Sequence, residues 1–264
     1  MKRKHIPGIF ELTLYLLSGL VLLFLAGPLA GMFIQTSLPE LFDTGMDNEV
    51  QSSIVTTLLA AFSATIIFGL VGIPFAWFLA RKQFWFKSLL LGIINLPVVI
   101  PHTAAGIALL GFVNRDSFFG RLADTAGISL VGNHTAIALA MAFVSAPFLL
   151  NAAYEGFRSV PTELEQAARI LGATSFEVFY TVSLPLAARN ILSGVVMMFA
   201  RGMSEFGAVV IVAYHPMITP VLIYERFTAF GLAWARPVAV VFMLVTLVVF
   251  VVLRVIARKN NETR

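Results

Sequence analysis

Arg201 and Glu205 are the most unusual polar residues of the sequence, because they carry opposite charges inside a long apolar block. If that block crosses a membrane, each charge costs about 2.5–3.5 kcal/mol on insertion scales, so it normally faces protein or water. The two residues are one helical turn apart and can pair on one face. Small residues at Ala200, Ser204 and Ala208 form an adjacent strip that favours close packing. The pair is either a structural contact between helices or part of a polar pathway.

A second polar group follows two prolines, Pro97 and Pro101, which are also one turn apart and precede His102 and Thr103. Each proline removes a backbone donor and bends or breaks a helix. Carbonyl groups freed at membrane depth are tolerated where they face protein or a water-filled cavity. His102 is therefore either a packing residue or a contact of the pathway. Pro147 lies alone in a later apolar block and predicts only a kink.

The rest of the sequence carries little that could perform catalysis or hold a cofactor. It contains no cysteine, no Ser, His and Asp spacing that argues for a triad, and no His/Cys/Asp cluster with metal-ligand spacing. A Gly-rich phosphate loop ending in Lys-Ser or Lys-Thr is also absent. We therefore expect no catalytic residue, no metal site and no cofactor bound by this chain. If ATP drives the protein, a separate chain hydrolyses it.

These residues lie in or beside long apolar blocks, which predict helices. The chain is 59% hydrophobic and 12% charged, with a mean hydropathy of +0.90, whereas soluble domains carry about 25% charged residues. Crossing a bilayer takes about 20 apolar residues per helix, and the blocks are too long for the ~10-residue strands of a barrel. We predict an all-α polytopic membrane protein with a single transmembrane domain over residues 1–264. Six spans are expected at about 10–34, 54–79, 88–112, 134–153, 188–213 and 237–257.

The basic residues are distributed unevenly between the two sides of these spans. With a cytoplasmic N-terminus, thirteen lie inside and four outside, and Arg201 remains within a span. The inside set is Lys2, Arg3, Lys4, Arg81, Lys82, Lys87, Arg158, Arg169, Arg189, Arg254, Arg258, Lys259 and Arg264. Such a bias indicates the cytoplasmic side. We expect a multi-pass protein of the cell membrane with both termini in the cytoplasm, and we assign the net charge of +4 to topology rather than to nucleic-acid binding.

The first apolar block could also be a cleaved signal peptide, because basic residues precede it. The run from Leu12 to Ile34 is longer than the apolar core of a signal peptide, although Ala26-Gly27-Pro28 interrupts it. We expect an uncleaved first helix.

The segment between the fourth and fifth spans, residues 155–187, has the pattern of short amphipathic helices. Thr162 and Glu165 predict a capping box directly after Pro161. Gly172 stands where a left-handed C-cap belongs. Between these ends, an apolar stripe with i, i+3, i+4, i+7 spacing is formed by Leu164, Ala167, Ala168 and Leu171.

A second capping pair, Thr174 with Glu177, predicts another short helix, which Leu184-Pro185 closes before the fifth span. The small side chains of Ala167 and Ala168 leave room for close approach by another surface. The segment either packs against its own bundle or docks into a groove of another protein.

The docking alternative is favoured by a resemblance to the permease subunits of ABC importers. Their cytoplasmic signature is Glu-Ala-Ala, three residues, Gly, nine residues and Ile-x-Leu-Pro. The matching residues here are Gln166-Ala167-Ala168, Gly172 and Val182-Ser183-Leu184-Pro185. Gln replaces the glutamate of the signature, although Glu165 is adjacent, and Val replaces Ile. The resemblance implies a coupling helix that docks on an ATP-binding subunit through Glu165, Gln166, Ala167, Ala168, Leu171, Gly172, Leu184 and Pro185.

Two further stretches resemble molybdate and tungstate permeases. One runs from Asn95 to Gly106, and the other runs from Arg201 to Ala208 and continues through 213–217 and 222–226. Sulfate and thiosulfate permeases share a Glu-Phe-Gly-Ala-like stretch. The gate of this family is built around the third and fifth spans. The resemblance therefore implies a pathway or gate formed by Pro97, Pro101, His102, Thr103, Arg201, Ser204 and Glu205.

The whole resemblance implies a six-helix permease of a type I ABC importer in a prokaryotic cell membrane. One signature loop per chain implies a homodimer around a central pathway, two ATP-binding subunits that hold ATP and Mg²⁺ inside, and an external substrate-binding protein. A single Arg and a His within the spans are too few donors to bind an oxyanion tightly, so recognition belongs to the binding protein. The expected cargo is molybdate or tungstate, with sulfate or thiosulfate as the alternative.

Two other classes of protein are alternatives. A self-contained ion-coupled carrier would predict inverted repeats and several acids near the bilayer midplane. No repeat is visible in the sequence, and Glu205 is the only clear acidic residue in the late spans. A membrane-embedded enzyme would need clustered His, Asp and Glu at one membrane face, which the sequence lacks.

Overall fold

A computed structural model of the chain describes residues 8–262, with side chains described as far as residue 255 in the last helix. The basic residues that predict orientation lie partly outside this range, namely Lys2, Arg3, Lys4 and Arg264, together with the side chains of Arg258 and Lys259. The helices are α1 (Ile9–Ile34), α2 (Leu38–Met46), α3 (Asn48–Arg81), α4 (Lys87–Val99), α5 (His102–Val113), α6 (Phe118–Thr125), α7 (His134–Arg158), α8 (Thr162–Ile170), α9 (Ser175–Val178), α10 (Leu184–Met203), α11 (Gly207–Val212), α12 (Thr219–Phe230) and α13 (Leu232–Glu262). A π-helical turn, Phe179–Ser183, joins α9 to α10.

Five elements within residues 8–262 are long and apolar enough to cross a membrane. They are α1, α3, α7, the continuous run Ser175–Met203 that contains α9 and α10, and α13. The pair of α4 and α5 makes a sixth candidate, although the two helices are bent by 116° relative to each other. This arrangement confirms the all-α polytopic fold that the apolar blocks predict.

The centre of the bundle is α7, which packs between α3 and α10. A Cβ atom at Gly194 would lie 2.8 Å from Ala152 Cβ and 3.2 Å from Leu149 Cα. Glycine therefore allows α10 to lie directly on α7. On the α3 side, Ala61 and Ala64 are buried in the same core. Small side chains thus set the close helix packing, as is usual where lipid surrounds the bundle.

The third apolar block is broken at Pro101 and not at Pro97. Pro97 is buried inside α4, whereas Pro101 is the N-cap of α5. Ile100, the residue before Pro101, is extended, with φ −76° and ψ 151°. The ring of a following proline disfavours the helical conformation at that position, so α4 ends there.

The fifth apolar block is not one helix over residues 188–213. Helix α10 ends at Met203, and the chain resumes as α11 at Gly207 after a three-residue break. Ala208 therefore belongs to a different helix from Ala200, and the expected strip of small residues is interrupted. Hydropathy does not report this break, because residues on both sides of it are apolar.

The predicted capping box at Thr162 is wrong. Pro161 is the N-cap of α8 and Thr162 is already its first helical residue, so no side chain caps this end. Glu165 is buried and binds Arg81, the last residue of α3. The predicted left-handed position at Gly172 is confirmed, with φ +93°.

The second capping pair is confirmed, because Glu177 accepts a hydrogen bond of 2.6 Å from the backbone N–H of Thr174. The predicted closure at Leu184-Pro185 is wrong, since α9 runs through the π-helical turn into α10 without a break. Pro185 lies in the first turn of α10, directly after that turn. A proline cannot complete an α-helical hydrogen-bond ladder, and the wider π-helical turn precedes it.

Helix α1 differs from the other long helices in its lack of burial. None of its 26 residues, all of them described, is buried. It reaches the bundle near its C-terminal end, where Leu29 and Phe33 line a cavity together with Phe242 and Met243 of α13. The rest of this apolar helix faces outwards.

Candidate gate and coupling surface

Two glycines bring the broken parts of the third and fifth apolar blocks together. A Cβ atom at Gly207 would lie 2.7 Å from His102 Cβ, and one at Gly106 would lie 2.8 Å from Ala208 Cα. Any larger residue at either position would force α5 and α11 apart. The missing side chains therefore place the start of α5 beside the break between α10 and α11.

A polar cluster of His102, Arg201, Ser204 and Glu205 occupies this junction. The Glu205 side chain is 1% exposed, and its Oε2 lies 2.8 Å from both Arg201 Nη2 and His102 Nδ1. Its Oε1 accepts a 2.8 Å hydrogen bond from the backbone N–H of Ala208. Arg201 also donates to Ser204 Oγ over 3.3 Å. One carboxylate thus contacts α5, α10 and α11.

The imidazole of His102 contacts both charged side chains of the cluster. Arg201 Nη2 lies 2.7 Å from Nδ1 and 3.0 Å from Nε2 of the imidazole. A guanidinium only donates and an ionised carboxylate only accepts. Nδ1 of His102 therefore lies between a carboxylate that accepts and a guanidinium that donates. The charges of Arg201 and Glu205 balance within the cluster.

The cluster extends from the core to the surface of the protein. Glu205 is buried, the side chains of Arg201 and His102 are 23% and 35% exposed, and Ser204 and Thr103 are exposed. Polar atoms at membrane depth require water or protein around them. This edge of the protomer is therefore suited to a water-filled passage or a protein interface.

The polar cluster is not suited to holding a metal ion. Within residues 8–255 no group of three or more His, Cys, Asp and Glu side chains could hold a metal. In the polar cluster, the guanidinium of Arg201 occupies the position beside the carboxylate that a cation would need.

The structure brings together most of the residues expected at the gate. Arg201 and Glu205 pair, although Glu205 lies beyond the end of α10. The contact of His102 with both residues was not predicted, since about 100 positions separate them. Pro101 supplies the break before His102, whereas Pro97 is buried inside α4, outside the cluster.

The second predicted site, around α8, presents an apolar surface that no other described part of the chain covers. Its large exposed side chains are Leu164 at 48%, Ile170 at 85%, Leu171 at 88%, Phe176 at 74% and Tyr180 at 62%. Gln166, Ala167 and Gly172 are also exposed, and Ala168 is half-buried. Further along, Pro185 is exposed and Leu184 is half-buried. Contiguous exposed apolar side chains mark an interaction surface.

Glu165 is the exception on α8, because it points into the protein. It binds Arg81 with 2.7–2.9 Å contacts and accepts a hydrogen bond of 2.6 Å from Ser183 Oγ. Burial raises the pKa of Glu165, but hydrogen bonds from Arg81, Ser183 and Trp77 and the charge of Arg81 lower it by more. The net pKa lies below the ordinary value of 4.5, so the carboxylate is ionised at neutral pH.

Residues 72–262, which include both surfaces, match the family model of the inner membrane component of binding-protein-dependent transport systems. The matched range covers well over half of the chain. The chain belongs to this permease family. It is a binding-protein-dependent ABC permease, a non-catalytic multi-pass component of the inner membrane that works with an ATPase and a substrate-binding protein. The carrier and enzyme alternatives are thereby set aside.

Two curated relatives and one solved structure illustrate the similarity. The permease is 38% identical to the molybdate/tungstate transport system permease protein WtpB of Methanocaldococcus jannaschii, over 96% of this chain and 99% of that protein. It is 32% identical to the sulfate transport system permease protein CysT of Salmonella typhimurium, over 93% and 91% of the two chains. The fold resembles a chain of a bacterial ABC transporter for alginate import, with a TM-score of 0.73, 16% identity and coverage of 95% and 96%.

Proposed function

We propose that the permease forms the translocation pathway of an importer for molybdate or tungstate. The observation that carries this proposal is its 38% identity to a molybdate/tungstate permease over nearly the full length of both chains. A second candidate, sulfate or thiosulfate, has the support of the 32% identity to a sulfate permease. The two cargo classes are tetrahedral oxyanions, and both require a passage that tolerates negative charge.

The polar cluster suits a gate better than a tight binding site. The positive charge of Arg201 is balanced by Glu205 at 2.8 Å, and Nδ1 of His102 also lies 2.8 Å from that carboxylate. An oxyanion at this junction would meet few uncommitted donors, so recognition belongs to the external binding protein. We assign the gate or pathway to Pro101, His102, Thr103, Arg201, Ser204 and Glu205, with Pro97 in the preceding helix.

The permease acts as a homodimer in this proposal. Helix α1 has no buried residue in the protomer, and the polar cluster reaches the protomer surface. A second copy would cover both features, since an apolar helix could pack on its neighbour and two polar edges could enclose a passage. The two copies would be related by the symmetry usual for such dimers.

The exposed apolar side chains of α8 and α9 support docking of one ATPase subunit on each permease copy. The ATPase would hold ATP and Mg²⁺, and the residues that contact it would be Gln166, Ala167, Ala168, Leu171 and Gly172, with Leu184 and Pro185 at the start of α10. This side of the membrane is then the cytoplasm, where both termini lie. Closure of the two ATPases would move the two α8 helices together.

The test is ATP hydrolysis by the permease reconstituted in liposomes with its ATPase and its binding protein. The binding protein would be loaded in turn with tungstate, molybdate, sulfate or thiosulfate. Stimulation by tungstate or molybdate at concentrations where sulfate has no effect supports the proposal. Stimulation by sulfate or thiosulfate alone assigns the second cargo class, and an ATPase that does not bind the permease overturns the proposal.

A further inference from the structure

The contact between Arg81 and Glu165 joins α8 to the rest of the bundle. Arg81 Nε lies 2.8 Å and 2.9 Å from the two carboxylate oxygens, and Nη2 lies 2.7 Å from Oε1. The side chains of Arg81 and Glu165 are only 13% and 5% exposed. Two parallel contacts between a planar guanidinium and a carboxylate fix distance and orientation together.

The same two side chains reach two further parts of the chain. Arg81 Nη2 donates to the carbonyl of Val160, between α7 and α8, over 3.1 Å. Ser183 Oγ, just before α10, donates to Glu165 over 2.6 Å, and Trp77 Nε1 on α3 donates to Ser183 Oγ over 3.1 Å. The ends of α3 and α7, helix α8 and the start of α10 therefore meet at one ion pair.

Apart from the ion pair and a 3.5 Å hydrogen bond from Trp77 Nε1 to Glu165, little connects α8 to α3 in the part of the chain that the structure describes. A cavity of about 450 Å³ lies between the two helices, and its lining includes Phe78 of α3, Lys82 directly after α3, and Gln166 and Arg169 of α8. Helix α8 instead lies against α9 and the π-helical turn that follow it in sequence. A force applied to α8 would reach α3 chiefly through the charged contact.

We infer that Arg81 and Glu165 are positioning residues that transmit movement of α8 to the membrane-spanning helices. The inference rests on the proposed docking of an ATPase on α8. Glu165 faces inwards and is not available to the ATPase, so the contacts with the ATPase belong to Gln166, Ala167, Leu171 and Gly172, which are exposed. Loss of the ion pair would leave the ATPase able to dock and hydrolyse ATP while α8 moves without α3.

The test compares Glu165→Gln, Arg81→Met and the double variant in liposomes that contain the permease, its ATPase and the loaded binding protein. Glu163→Gln and Lys82→Met are matched controls, because both residues are exposed neighbours of the ion pair. Three quantities are measured: the ATPase retained on the permease, the oxyanion imported per ATP hydrolysed, and the melting temperature of the complex.

Each single variant should retain the ATPase but import about fivefold less oxyanion per ATP. A factor of about five is the lower end of the range typical of coupling between two sites. The controls should match the wild type. The double variant should recover melting temperature, since no unpaired buried charge remains, but its import per ATP should stay low. Arg81→Lys keeps the charge without the two-point contact and should be intermediate.

Two results overturn the inference. The first is that both single variants import as much oxyanion per ATP as the wild type. The second is that the double variant regains both import per ATP and melting temperature, as expected if the ion pair only stabilises the protein. Failure of the wild-type permease to bind the ATPase would instead refute the proposed function.

Discussion

The Nδ1 atom of His102 lies 2.8 Å from Oε2 of Glu205, so the first residue of α5 contacts the break that follows α10. Glu205 also pairs with Arg201 and accepts from the amide of Ala208. The two interruptions in the membrane-spanning helices are therefore held as one unit. A substitution at the break before α5 is therefore expected to affect the break between α10 and α11, and the reverse.

Replacing Glu205 by Ala should lower the free energy of unfolding by about 2–3 kcal/mol, because it leaves Arg201 and the Ala208 amide without their partner. The value is below that for a fully buried pair, since the Arg201 side chain is 23% exposed. Chemical or thermal unfolding in detergent measures it. The control is Glu155→Ala, whose pair with Arg158 is more than half exposed and should change stability by less than about 1 kcal/mol. Equal effects of the two variants would contradict the role given to the cluster.

Gly106→Ala should separate α5 from α11 and destabilise the protein by about 1–3 kcal/mol, as overpacking does. The added Cβ would lie 2.8 Å from the Cα of Ala208, a backbone atom that cannot move alone. Gly111→Ala on the same helix is the control, because no atom outside its own helix lies within 4 Å of the added Cβ. Unfolding of the two variants side by side checks this prediction, and a stable, active Gly106→Ala protein would refute the close contact.

The long helices and the break near Pro101 could be predicted from the sequence, because hydropathy and proline geometry act locally. The end of α10 at Met203 could not. The apolar run continues through the break, and what stabilises the break is a carboxylate that accepts from the Ala208 amide and contacts His102, 103 positions away.

The prediction of a capping box at Thr162 is also wrong because of a contact between residues that are distant in sequence. The local pattern is correct for a box, but the Glu165 carboxylate finds a stronger donor in Arg81, which is 84 positions distant. A charged, two-point contact outweighs a hydrogen bond to a helix end. Among the described residues no charged group competes for Glu177, and the capping box at Thr174 forms as predicted.

Leu171→Glu should reduce binding of the ATPase subunit by about tenfold or more, because Leu171 is 88% exposed at the end of α8 and a charge there would be desolvated on docking. Co-purification of the ATPase with tagged permease measures the effect. Leu38→Glu is the matched control, since Leu38 is 71% exposed at the start of α2. Undiminished ATPase binding by Leu171→Glu would exclude this surface from the interface.

The contribution of the Arg81–Glu165 pair to stability should depend on pH. The folded-state pKa of Glu165 is lowered, so its contribution is present above the unfolded-state value, near 4.5, and is lost as pH falls through the folded-state pKa. The difference in melting temperature between wild type and Glu165→Gln should therefore be constant from neutral pH down to about pH 5 and shrink below 4.5. A difference that disappears between pH 7 and pH 6 would show that another group is responsible.

The most direct test of the central claim is uptake of labelled tungstate into liposomes that contain the permease and its ATPase, with ATP on the ATPase side and loaded binding protein on the other. We predict uptake that requires both ATP and the binding protein, and that is reduced by excess molybdate but not by excess sulfate. Uptake driven by an ion gradient without ATP, or tungstate uptake that sulfate abolishes at equal concentration, would contradict the account.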